Sequence, residues 1–146
     1  MYDDILLPTD GSDAADAAVA NALSLANQYD ATLHALYVAD TTEYSTATVE
    51  GDVVDPLRKE GERVVGAVVE RAESEGLAAT GVVMQGGVFE TIQSYVADEG
   101  VDAVVMGTHG RRGLGRALLG SVTERVVRTS DVPVLTVRQA DEDAAE

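Results

Sequence analysis

The chain alternates five short apolar runs with longer stretches in which apolar residues recur every three or four positions. The longer spacing lines one face of a helix, and a short unbroken apolar run suits a strand buried on both sides. Ile5-Leu6-Leu7 is the first such run, ended by Pro8 and the turn residues Asp10-Gly11. Ser12 or Asp13 can cap the helix that follows, whose apolar face is Ala15, Ala18, Val19, Ala22, Leu23 and Ala26. Ala31 to Val38 reads as a second strand, 39–52 as a loop without apolar period, and Val54 to Glu75 as a helix closed by Gly76 in a left-handed cap. Val82-Val83-Met84 is a third strand and Gly86-Gly87 turns the chain into a helix marked by Val88, Ile92 and Val96, ending near Gly100. A fourth strand over Val101 to Met106, a helix over Ser121 to Arg128 and a last strand over Val132 to Val137 complete the pattern. The βαβαβαβαβ order predicts an α/β fold, an open and mostly parallel sheet with helices on both faces. Ligands of such sheets bind outside the carboxyl ends of the strands. Two of those ends stand out: Pro8-Thr9-Asp10-Gly11, and the segment from Gly107 onward.

A chain of 146 residues is the size of one domain, expected here over 1–139, with the acidic tail 140–146 disordered. With no cysteine, disulfides, a thiol nucleophile and thiolate metal sites are excluded. Two histidines, His34 and His109, are too few for a His-rich metal site, and His109, in a loop, is read as a spectator rather than a base. No apolar run is long enough to cross a bilayer, and the acidic start is unlike a secretion signal. A cytoplasmic location is therefore expected. The net charge of −16 repels nucleic acid and anionic membranes, so neither is expected as a partner. Nine of the ten cations are Arg and one is Lys59, a balance that suits a salt-loving cytoplasm; an ordinary acidic protein is the alternative.

Against that acidic background, 111–128 carries five Arg and one acid, Glu124. Such an island suits an anionic ligand, unless these Arg only pair with surface carboxylates. It overlaps a glycine-rich segment, Gly107-Thr108-His109-Gly110-Arg111-Arg112-Gly113-Leu114-Gly115, that leads to Gly120-Ser121 at the start of a helix. Glycines let backbone N–H groups approach an anion, and a helix N-terminus offers free donors and the positive end of a dipole. Other phosphate motifs fail. No Gly-Lys pair exists for a Walker loop, Leu118 stands where a dinucleotide fingerprint needs its third Gly, and no G-x-S-x-G elbow occurs. What remains is G-x2-G-x9-G-[ST], carried by Gly107, Gly110, Gly120 and Ser121.

From Tyr2 to Arg138 the sequence resembles the universal stress protein family, in its ATP-binding branch. The resemblance lies in Ile5-Leu6-Leu7-Pro8-Thr9-Asp10-Gly11-Ser12, Tyr37-Val38, Asp102-Ala103-Val104-Val105-Met106-Gly107-Thr108-His109-Gly110, Gly120-Ser121-Val122 and Val132-Pro133-Val134-Leu135. It implies a Rossmann-like five-stranded parallel sheet of order 3-2-1-4-5 and a homodimer through the last strand, Val132 to Val137. It also implies ATP, ADP or AMP as ligand. Val38 would meet the adenine edge, Asp10 the ribose or a phosphate-bound Mg²⁺ shared with Ser121, and Gly110, Gly120, Ser121 and Val122 the phosphates. Pro8, Thr9, Met106, Gly107 and Arg112 complete the candidate site. Where the family commonly has Lys, His and Pro, this chain has Asp3-Asp4, Tyr37 and Val88; none of these removes a phosphate contact. The reading favoured is a nucleotide-dependent regulatory or stress-response module with an unknown protein partner and no catalytic residue. A slow ATPase or phosphotransferase, and a dimeric interaction protein indifferent to nucleotide, are the alternatives.

Overall fold

Strand β1 (Asp4–Pro8) is apolar on both faces because helices cover both; Ile5, Leu6 and Leu7 are fully buried. The computed structural model describes residues 2–40, 54–108 and 120–138. After β1 come α1 (Asp13–Tyr29), β2 (Thr32–Ala39), α2 (Val54–Ser74), β3 (Ala79–Gln85), α3 (Val88–Glu99), β4 (Ala103–Gly107), α4 (Ser121–Thr129) and β5 (Val134–Val137). The sheet order is β3-β2-β1-β4-β5 with every neighbour parallel, as expected. Ser12 is the cap of α1, its hydroxyl accepting the Ala15 N–H at 3.1 Å.

Side chains alternate across a strand, so β1 feeds two cores. Ile5 and Leu7 join Leu33, Ala35, Tyr37, Ala39, Ala103 and Val105 beneath α1 and α2. Leu6 joins Leu36, Val104 and Met106 beneath α3 and α4, against Phe89, Ile92, Tyr95 and Val126. Arg125 of α4 lies 3.9 Å over the Phe89 ring and ties the two helices of that layer together.

Three readings need correction. The third strand spans Ala79–Gln85, longer than its apolar run, because backbone pairing with β2 from Leu33 to Ala39 extends it. It is not covered on both faces: it is an edge strand, and Thr80, Gly81, Met84 and Gln85 are exposed. The last strand begins at Val134 rather than Val132. There the Ser130 hydroxyl donates to the Val132 carbonyl and accepts its N–H, holding a turn, and Pro133 has no N–H to give. The fourth strand likewise starts at Ala103, since the Asp102 carboxylate turns back to accept the N–H groups of Asp3 and Asp4. The acidic tail 140–146, most of the loop read at 39–52, and His109 lie outside the described residues.

Candidate functional site

Strand register brings the candidate residues into one row. β1 pairs with β2 as Pro8↔Leu36 and with β4 as Leu6↔Val104. Carried past the strand ends, the same register sets Asp10 level with Val38 on one side and with Thr108 on the other. β1 is central, so this row crosses the switch point, where order reverses between β1 and β4 and where open sheets bind ligands.

Val38 turns its backbone toward that row. The Leu36 carbonyl accepts the Thr9 N–H on the β1 side at 2.9 Å, and the Ala39 carbonyl accepts the Gly86 N–H on the β3 side at 3.2 Å. Backbone groups alternate sides along a strand, so the N–H and C=O of Val38 face the β1 side, beyond the last β1 pairing. They can read the edge of a planar heterocycle through one donor and one acceptor.

Alternation also divides the candidate residues. Pro8, Val38 and Met106 belong to the α3/α4 side, where Val38, Met106 and Val122 pack against the same core, and Asp10 lies past the strand in the turn. Thr9 and Gly107 belong to the other side. Thr9 is buried at 8 % exposure, and its hydroxyl accepts the Gly11 N–H at 3.2 Å. Gly107 faces α1 so closely that a Cβ there would sit 2.5 Å from the Ala14 carbonyl oxygen. For Gly107, close helix packing is a sufficient reason for glycine.

Asp10 shapes the turn. One of its oxygens accepts the Ser12 N–H at 2.9 Å, and Gly11 takes φ 78°, a region open to glycine. Asp10 is half-buried.

Across from it, α4 begins at Gly120, which has φ −61° and ψ 155° and no side chain to cap the helix. The Gly120 N–H is spent on the Thr108 carbonyl at 2.7 Å, and the Thr108 N–H on the Val137 carbonyl at 3.0 Å. The Thr123 hydroxyl donates to the Gly107 carbonyl at 2.9 Å, pinning the helix start to the end of β4. The N–H groups of Ser121 and Val122 thus open a helix with no capping side chain, beside an exposed Ser121. That is the geometry of an anion seat. Gly110 and Arg112 lie outside the described residues.

For a divalent cation the donor set is thin. No group of three or more His, Asp or Glu that could hold a metal occurs among the described residues. Asp10 and Ser121 could each add one oxygen to an ion carried in on phosphates, which is how Mg²⁺ is usually held in nucleotide sites.

The universal stress protein family model matches residues 1–138. The chain belongs to the universal stress protein family. A curated relative, universal stress protein MJ0531 of Methanocaldococcus jannaschii, is 34% identical over 142 residues, covering 95% of this chain and 84% of the relative. The solved structure of MJ0577 from the same organism superposes with a TM-score of 0.88 at 32% identity, covering 97% of this chain and 99% of that one. A family member from Arabidopsis thaliana, solved with AMP bound, shares the fold at a TM-score of 0.73 and 18% identity, covering 99% and 95%. No helix among the described residues is long and apolar enough to cross a membrane.

Sequence reasoning missed two features near the carboxyl end of the sheet. Thr108 and Thr123 anchor α4 to the end of β4 through bonds between residues distant in sequence, for which a linear pattern carries no signal. Arg63 and Arg71 of α2 stand at a cleft beside Thr9 and Gly11. Their spacing of eight along one helix face could have drawn notice.

Proposed function

We propose that this universal stress protein is an adenine-nucleotide-binding regulatory module of the cytoplasm, with ATP as its ligand and binding rather than turnover as its activity. One observation carries the reading: an uncapped helix start at Gly120-Ser121-Val122 closes a row in which Val38 and Asp10 stand level. Val38 would pair with the adenine edge through its backbone, and Asp10 with the ribose. The N–H groups of Ser121 and Val122 would hold phosphate, with Gly110 and Arg112 assigned by family resemblance. Any Mg²⁺ would arrive with the phosphates and add charge neutralisation between Asp10 and Ser121. The AMP complex of the Arabidopsis relative supports an adenine nucleotide on this fold. The exposed Leu135 on edge strand β5 supports a homodimer through that strand.

Calorimetry with ATP, ADP and AMP tests the site. Micromolar affinity corresponds to about −8.2 kcal/mol. Gly120→Val places a side chain where the phosphate sits, in a backbone conformation that valine accepts. Losing two or three charge-assisted bonds at about 1.5–3 kcal/mol each abolishes measurable binding, while the melting temperature stays near wild type. Arg112→Ala costs less, because an exposed cation contributes mainly screened attraction. Unchanged affinity in Gly120→Val would place the nucleotide elsewhere. No wild-type binding at any salt concentration would favour an interaction protein indifferent to nucleotide.

A further inference from the structure

On the face of the sheet opposite the nucleotide row, α1 and α2 diverge near the end of β1 and leave a cleft of about 210 Å³. Its floor is apolar, made by Val19 of α1 with Val64, Ala67 and Val68 of α2. Arg63 and Arg71 stand on one wall and Asp16 on the other, with Thr9 and Gly11 at the head. Arg63 is shared with Glu60 one turn away. Arg71 has no ion-pair partner among the described residues, and neither has Asp16. Arg71 also stands in the last turn of α2, where the helix dipole favours a cation, and its guanidinium borders the apolar floor.

We propose that this cleft is a second ligand site, for a small aliphatic monocarboxylate. The Arg71 guanidinium would take the carboxylate through paired N–H bonds, with Arg63 adding attraction. The chain of the ligand would lie along Val19, Val64, Ala67 and Val68. A cleft of about 210 Å³, open to solvent on one side, admits a short aliphatic tail along this floor. Asp16 sets the charge: it repels a second negative group, so one carboxylate fits where a polyphosphate does not. The site is independent of the nucleotide reading. It touches the 8–11 turn from the other side, through Thr9 and Gly11 rather than Pro8 and Asp10.

The test uses octanoate, with octanol as its uncharged counterpart, titrated into the ¹⁵N-labelled full chain at constant ionic strength. Saturable shifts are expected, confined to amides around Gly11, Asp16 and 64–71. Octanol should bind about tenfold more weakly or worse, the worth of one charge-assisted contact. Arg71→Ala and Ala67→Phe should each weaken octanoate about tenfold, the first by removing the charge and the second by filling the floor. Arg71→Lys should recover part of the loss. Both positions are exposed, so the cores are untouched, and circular dichroism melts verify the fold. ATP affinity in the same variants should stay within about twofold, since neither touches the nucleotide row. Shifts that fail to saturate or scatter over the surface would overturn the proposal. So would equal affinity for octanol, or unchanged octanoate affinity in either variant.

Discussion

Thr9 and Asp10 are neighbours in sequence and strangers in space. Thr9 lines the cleft between α1 and α2, whereas Asp10 bends into the turn and accepts the Ser12 N–H. A motif read as a string, Pro8-Thr9-Asp10-Gly11, therefore mixes residues of the proposed nucleotide row with residues that hold the scaffold. Gly107 shows the same ambiguity. Its place in a glycine-rich phosphate motif was legible from sequence, but its closeness to α1 was not, because only the fold sets Ala14 against it. The consequence is measurable. In Gly107→Ala the new Cβ meets the Ala14 carbonyl oxygen at 2.5 Å and its carbon at 3.0 Å, both backbone atoms that move only if α1 shifts. A loss of about 1–3 kcal/mol is expected from such overpacking, seen as a lower urea midpoint with an unchanged slope. An unaltered midpoint would mean that the glycine serves the ligand alone.

Among elements, α3 is fastened to the lower end of the sheet by a buried polar chain. His34 of β2 lies 2.9 Å by Nε2 from the Asp4 carboxylate of β1 and 2.7 Å by Nδ1 from the Tyr95 hydroxyl of α3. A carboxylate only accepts, so Nε2 carries a proton; in the neutral ring Nδ1 then accepts the phenolic O–H. Burial first, then the charges of Glu99 and Asp4, push the Tyr95 phenol above its ordinary 10.0. The folded state thus holds this proton more tightly than the unfolded chain. Its contribution is complete below about pH 10 and is lost as pH rises from there through the raised value. Tyr95→Phe should cost about 1 kcal/mol at neutral pH, by leaving a ring nitrogen unpaired. It should also lose less stability than wild type as pH rises above about 10, in chemical denaturation followed against pH. Parallel alkaline losses in the two proteins would contradict the assignment. Nothing in the sequence announced this chain, whose members are 30 and 61 residues apart. Strand β3 was legible only in its apolar half. Ala79, Thr80 and Gly81 carry no strand signal, and a Cβ on Gly81 would sit 2.9 Å from Val65 of α2, so the helix above dictates the small residue. The order of the elements, by contrast, followed from periodicity because each apolar face is continuous, and the parallel sheet followed from the alternation.

For the molecule as a whole, the net charge of −16 on one domain sets the response to salt. Repulsion among 26 acids extends about 30 Å at 0.01 M salt and about 3 Å at 1 M. The melting temperature should therefore climb from low to molar KCl, and a flat or falling midpoint would remove the halophilic reading. The same screening helps two acidic copies meet. Light scattering in high salt should give a dimer for the wild type and a monomer for Leu135→Asp, which sets a charge on the exposed face of β5. A wild-type monomer at micromolar concentration would exclude pairing through this edge.

The sheet nevertheless has a second border. β3 offers seven residues without a single charge, against four in β5. If copies joined through β5 and also through β3, each junction would have its own two-fold axis. Unless the two axes intersect at an angle that closes a dihedral set, they add molecules end to end without limit. Solubility of the assembled protein then depends on leaving the longer border bare. A substitution that made Thr80 or Gln85 apolar would invite fibres rather than a larger particle of fixed size.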